Sequence, residues 1–131
     1  CVLAVGSMVQ PSLAAARDLA TAGIGVEVVD MRFVKPLDED ILRSVWERHR
    51  HVLTVEENSV RGGFGAAVLE WSAQQSGGGP RVELVGIPDR FQEHATRAEL
   101  LAAIGLDADG LAERIRRCAE GSGRSQAQSA S

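Results

Sequence analysis

Short runs dense in Val, Leu and Ile alternate with segments whose apolar residues recur every three or four positions, and this alternation restricts the chain more than any other feature. The first run, 1–6, is Val-Leu-Ala-Val closed by Gly6, the pattern of a strand covered on both faces. Further strands are expected over 25–34, 52–55 and 81–87, each rich in β-branched residues and bounded by Gly, Pro or charged residues. Between them lie helical patterns. Leu13, Ala16 and Ala20 follow Pro11, and Ile41, Leu42, Val45, Trp46 and His49 follow a capping Asp38. Phe64, Ala67, Val68 and Trp71 form a third stripe. Thr96-Arg97-Ala98-Glu99 has capping-box spacing ahead of Leu100, Leu101 and Ile104, and Asp107 can cap a last helix through Leu111, Ile115 and Cys118. A strand that returns parallel to its predecessor needs a crossover of a dozen residues or more, and a helix supplies it. The fold class expected is therefore α/β, a three-layer α/β/α domain with a mostly parallel sheet whose strand order differs from chain order.

A chain of 131 residues suits one such domain, expected over 1–120, and the Ser, Gln, Gly and Ala of 121–131 are expected to form a disordered tail. Net charge is -4 and the basic residues are dispersed, which argues against a nucleic-acid surface. No apolar run reaches the roughly 20 residues of a membrane span, and 1–10 lacks the basic flank of a signal peptide, so no membrane partner and a cytoplasmic setting are expected. Cys1 and Cys118 lie far apart without C-x-x-C spacing, which signals neither a zinc site nor a redox pair.

Three places could carry chemistry. Gly62-Gly63-Phe64-Gly65 stands between strand and helix, where backbone N–H groups can meet a phosphate. Counted from Gly63, the last position of a G-x-G-x-x-G fingerprint is Val68, and no P-loop lysine follows, so a tight turn packing helix on sheet is favoured. Glu56 and Glu57 end a buried strand at the edge where α/β sheets place functional residues, yet neighbours on a strand face opposite ways and do not form a dyad by adjacency. A domain or subunit contact is the role expected of them. His94, near Asp89, is a loop histidine without a nucleophile motif, and an ordinary hydrogen bond is its expected role. His49 and His51 flank a helix-to-strand joint and read as structural, and Trp46 and Trp71 read as core.

The blocks Val29-Asp30-Met31-Arg32-Phe33-Val34-Lys35-Pro36-Leu37-Asp38 and Thr54-Val55-Glu56-Glu57-Asn58, with the glycines at 62, 63 and 65, resemble the C-terminal domain of the thiamine-diphosphate transketolase superfamily. Gly86-Ile87-Pro88-Asp89-Arg90-Phe91-Gln92-Glu93-His94, then Glu99 and 105–110, is similar to the ending of 1-deoxy-D-xylulose-5-phosphate synthases. The 2-oxo acid dehydrogenase beta subunits, transketolases and a free-standing α/β binding module are the alternatives. This resemblance implies a five-stranded sheet, its first strand possibly antiparallel. It also implies a third domain cut from a larger polypeptide that condenses pyruvate with glyceraldehyde 3-phosphate. Thiamine diphosphate and magnesium would be held by the other domains of the same polypeptide, and none by this fragment, which is expected to be inactive alone. What the resemblance leaves for this domain is contact within that polypeptide or across a homodimer, with Glu56, Glu57, Asn58, Gly62, Gly63, Asp89 and His94 as contact candidates and no catalytic residue.

Overall fold

Four strands, β1 (Val2–Ala4), β2 (Val28–Asp30), β3 (His51–Ser59) and β4 (Arg81–Ile87), form one parallel sheet in the order β2-β1-β3-β4. The structure is a computed structural model and describes residues 1–88 and 95–129, with residues 122–129 described for the backbone alone. β1 lies between two later strands, with Val2 opposite both Val28 and Leu53, and it runs parallel to each. Two expectations are corrected: the sheet has four described strands where five were expected, and its first strand is not antiparallel. β2 is also shorter than the run over 25–34, because it pairs only with the three residues of β1. β3 outruns its expected 52–55 and reaches Ser59 through a register irregularity after Val55.

Helices α1 (Val9–Thr21), α2 (Glu39–Arg48), α3 (Phe64–Ala73), α4 (Arg97–Ala103) and α5 (Ala108–Ser129) join and follow these strands, and one 3-10 turn (Gly6–Met8) leads into α1. Local chemistry sets their starts. The Asp38 carboxylate accepts from the Ile41 N–H at 3.1 Å, and Glu39 and Asp40 complement the positive end of α2. Thr96 and Glu99 form the full capping box at α4, and Asp107 accepts from the Gly110 N–H at the start of α5. The backbone of α5 continues past the 120/121 boundary to Ser129, so the domain and tail proposed there are not separated by an element end. No proline follows Pro88, and nothing in the covalent chain forces the helix to stop earlier.

Strand alternation sorts the side chains into two cores. Val2, Ala4, Leu53, Val55 and Val85 face one side, where Met8 of the 3-10 turn and Ala15 and Leu19 of α1 meet Leu101, Leu111 and Ile115 of α4 and α5. Leu3 and Val52 face the other, against Leu42 and Val45 of α2 and Phe64, Val68 and Trp71 of α3. The result is the expected three-layer arrangement. One helical stripe differs from its sequence reading: α1 buries Ser12, Ala15 and Leu19, while Ala20 is exposed. Ser12 is tolerated there because its hydroxyl donates to the Met8 carbonyl at 2.7 Å.

Candidate functional site

At the carboxyl edge of the sheet, the 3-10 turn after β1, the loop after β2 and the end of β3 enclose a cleft of about 570 Å³. Ser7, Lys35, Glu57, Asn58, Gly62 and Gly63 line it, with Glu56 at its floor and Glu70 of α3 on its wall. Five of the seven contact candidates are thus brought together; Asp89 and His94 lie outside the described residues.

Glu56 and Glu57 part company as strand geometry requires. Glu56 is buried, on the face that carries Val52 and Thr54, and its carboxylate accepts from the Phe64 N–H at 2.8 Å and the Gly65 N–H at 2.9 Å. Those are unpaired donors of the first turn of α3, so the acid acts as a remote helix cap from the sheet. The glycines allow this approach. A Cβ on Gly63 would strike the Glu56 carboxylate and lie 2.6 Å from the Ser59 carbonyl oxygen, and one on Gly65 would lie 2.5 Å from Thr54 Oγ1. The tight-turn reading of 62–65 describes the geometry, and the N–H groups that a phosphate would need are already bound to a carboxylate of the chain itself.

Glu57 faces the other layer. Arg97 at the start of α4 donates to it through a fork, Nε to Oε1 at 2.6 Å and Nη2 to Oε2 at 2.5 Å, and Ser7 Oγ donates to Oε2 at 2.5 Å. The Arg97 fork, aided by the Ser7 hydroxyl, holds the Glu57 carboxyl below the usual glutamate range. β1, β3 and α4 are tied together at this point. Ser7, Lys35 and Arg97 are participants that sequence reasoning did not assign to the site. Ser7 and Lys35 follow strands at the same sheet edge, a placement that only strand order reveals, and nothing local marks Arg97 except its position inside the capping box. The acid pair is engaged within the chain at both members, and what the cleft presents outward is the Lys35 ammonium, the exposed Asn58 and the Gly62 backbone. Beside it the loop after β2 exposes Phe33, whose side chain is 69% accessible.

No described helix is long and apolar enough to cross a membrane.

Known proteins resemble this chain. The chain is 50% identical over 115 residues to 1-deoxy-D-xylulose-5-phosphate synthase 2 of Geobacter sulfurreducens, which covers 88% of the chain and 18% of the relative. It is 50% identical over 117 residues to the 1-deoxy-D-xylulose-5-phosphate synthase of Magnetococcus marinus, covering 88% of the chain and 19% of that protein. The chain thus spans less than one fifth of the length of these curated relatives. Among solved structures, a split-gene transketolase, an inactive β4 tetramer, superposes with a TM-score of 0.79 at 36% identity over 88% of this chain and 37% of that one. A transketolase mutant from Pichia stipitis gives 0.62 at 26% identity, over 88% of this chain and 15% of its own. The family model of the transketolase C-terminal domain matches residues 1–111, which run from β1 into α5 and include every described strand and the whole cleft. With that match across both cores, the chain belongs to the transketolase C-terminal domain family.

Proposed function

We propose that this chain is the C-terminal domain of a 1-deoxy-D-xylulose-5-phosphate synthase, a transferase that joins pyruvate to glyceraldehyde 3-phosphate with release of carbon dioxide. The observation that carries the reading is 50% identity over most of the chain to synthases of two different bacteria. In this reading the protein acts in the cytoplasm, supplies 1-deoxy-D-xylulose 5-phosphate for isoprenoid and thiamine synthesis, and uses thiamine diphosphate with magnesium.

The groups at the cleft do not fit that cofactor. Magnesium asks for free carboxylate or carbonyl oxygens in octahedral array, whereas both oxygens of Glu56 are bound to N–H groups and Glu57 is held by Arg97. Lys35 alone would meet a diphosphate, beside three glutamates. The cofactor is therefore assigned to the other domains of the polypeptide, and no catalytic step is assigned to this one. Its role is docking: the cleft rim at Asn58, Gly62 and Gly63, with Phe33 beside it, contacts the thiamine-diphosphate domains of the same polypeptide or the second subunit of a homodimer.

The test uses the full-length polypeptide supplied with pyruvate, glyceraldehyde 3-phosphate, thiamine diphosphate and magnesium. Formation of 1-deoxy-D-xylulose 5-phosphate is expected; turnover of ketose donors alone would place the chain among transketolases. Asn58→Ala with Phe33→Ser should weaken assembly in sedimentation velocity, with activity falling in parallel. Intact assembly with a raised KM for glyceraldehyde 3-phosphate would make the cleft a substrate site and end the docking reading. Calorimetry of the 131-residue chain with thiamine diphosphate and magnesium should show no saturable heat.

A further inference from the structure

The opposite, amino edge of the sheet gathers a different set of side chains. Cys1 stands immediately before β1, Glu27 immediately before β2, and His49 between α2 and β3. The parallel sheet brings these three starts side by side, so that the Cys1 sulfur, a Glu27 carboxylate oxygen and a His49 ring nitrogen all lie within 4.8 Å of one another. All three residues are half-buried. A cavity of about 170 Å³ opens beside Cys1 and His49, and His51 and Cys118 also line it.

We propose that Cys1, Glu27 and His49 form a site for a divalent transition metal of the zinc type. A thiolate, an imidazole and a carboxylate are the donor set that zinc accepts, whereas magnesium and calcium take oxygen donors almost alone. Zinc bonds of about 2.0 to 2.3 Å in tetrahedral array put ligand atoms about 3.3 to 3.8 Å apart, so side-chain shifts of about 1 Å close the set. The cavity leaves room for a water as fourth ligand.

Glu27 is already oriented. Arg48 donates to both of its oxygens, Nη2 to Oε1 at 3.0 Å and Nη1 to Oε2 at 2.7 Å, and His49 Nε2 contacts Oε2. A metal placed between Oε2, the imidazole and the sulfur replaces the His49–Glu27 contact and leaves Arg48 on Oε1 as an outer-shell donor. Charge balances as well: thiolate and carboxylate together offset the dication, and the thiol proton is released to solvent on binding. An ion pair between Arg48, Glu27 and His49 accounts for three of these groups by itself, but not for a thiol within 4.8 Å of the same carboxylate and imidazole. The site shares no residue with the cleft at the other edge, and it stands or falls independently of the synthase reading.

Cobalt(II) and zinc(II) titrations of the 131-residue chain provide the test. One metal per chain is expected, with a thiolate-to-cobalt charge-transfer band and visible bands of tetrahedral intensity. Cys1→Ser should abolish the charge-transfer band, and His49→Ala and Glu27→Gln should each weaken zinc about tenfold or more in competition with a chromophoric chelator. Cys118→Ser should keep the band, and so should a chain extended by Gly-Ser ahead of Cys1, which removes the α-amine as a ligand. No binding, a band that survives Cys1→Ser, or binding lost on extension would each overturn the proposal. Zinc-edge X-ray absorption on the unsubstituted chain needs no variant: one sulfur at about 2.3 Å with nitrogen and oxygen supports the site, and a shell without sulfur refutes it.

Discussion

Glu56→Gln isolates the contact that fastens α3 to the sheet, because it removes charge and one acceptor while keeping shape. In the native site the two carboxylate oxygens take the Phe64 and Gly65 N–H groups at 2.8 and 2.9 Å. A glutamine can satisfy one of them, and its own amide N–H₂ then faces the other donor. A buried hydrogen bond to a charged group contributes about 1.5 to 3 kcal/mol, and a carboxylate at a helix N-terminus adds about 0.3 to 1 kcal/mol. The expected loss is about 2 to 4 kcal/mol, or a fall in Tm of about 6 to 12 °C for a domain of this size. Glu57→Gln, one residue along, breaks a half-exposed pair and should cost less than about 1 kcal/mol. Urea denaturation of both variants at neutral pH measures the contrast, and hydrogen exchange at the Phe64 and Gly65 amides localises it. If Glu56→Gln costs no more than Glu57→Gln, or leaves those amides as protected as before, the remote-cap account is wrong.

Thr54 is fully buried and its hydroxyl has no hydrogen-bond partner among the described residues, so Thr54→Val should raise the urea midpoint by up to about 1 kcal/mol of stability. A loss of more than about 1 kcal/mol would mean that the hydroxyl is satisfied after all. The Arg97 fork sets a pH dependence, because the folded Glu57 carboxyl titrates below its ordinary value. Its stabilisation is fully present above the unfolded value of about 4.3 and is lost as pH falls through the lower folded value. The stability difference between the native chain and Arg97→Ala should therefore shrink as pH drops from about 6 to about 3, and a difference that stays constant over that range would contradict the pairing.

Much of this architecture is legible in the residues alone. Strand-helix alternation, the Asp38 and Thr96 caps, and the core roles of Trp46 and Trp71 follow from spacing, and the two indoles meet edge to face at 5.0 Å within one core. The strand count is less so, since five came from resemblance and the described sheet has four. Ala20 misleads because a buried serine, bonded to the carbonyl of the cap residue Met8, interrupts the apolar stripe of α1. Glu56 and Glu57 mark the strand end that borders the cleft, yet their separate tasks depend on partners 8 and 40 residues away. The grouping of Cys1, Glu27 and His49 is invisible to spacing rules altogether. It follows from strand order, a tertiary property that aligns three strand starts across 50 residues of chain.

The two cores differ in how much of the chain each needs. All the buried members of one, from Leu3 to Trp71, belong to the first three β-α segments. The other joins Val2 and Met8 to Leu111 and Ile115, so the layer beneath α1 stays open until the last helix exists. A growing or refolding chain can thus complete one side of its sheet while the reverse side is still bare hydrocarbon, and the final helix acts as the closing step. Pulse-labelled hydrogen exchange should find β1 and β3 amides protected together with α2 and α3, ahead of α1 and α5; simultaneous protection of all of them would show a single cooperative closure instead. Loss of α5 is then more than loss of one helix, for it would leave a half-built sheet with an adhesive face that another such chain could cover.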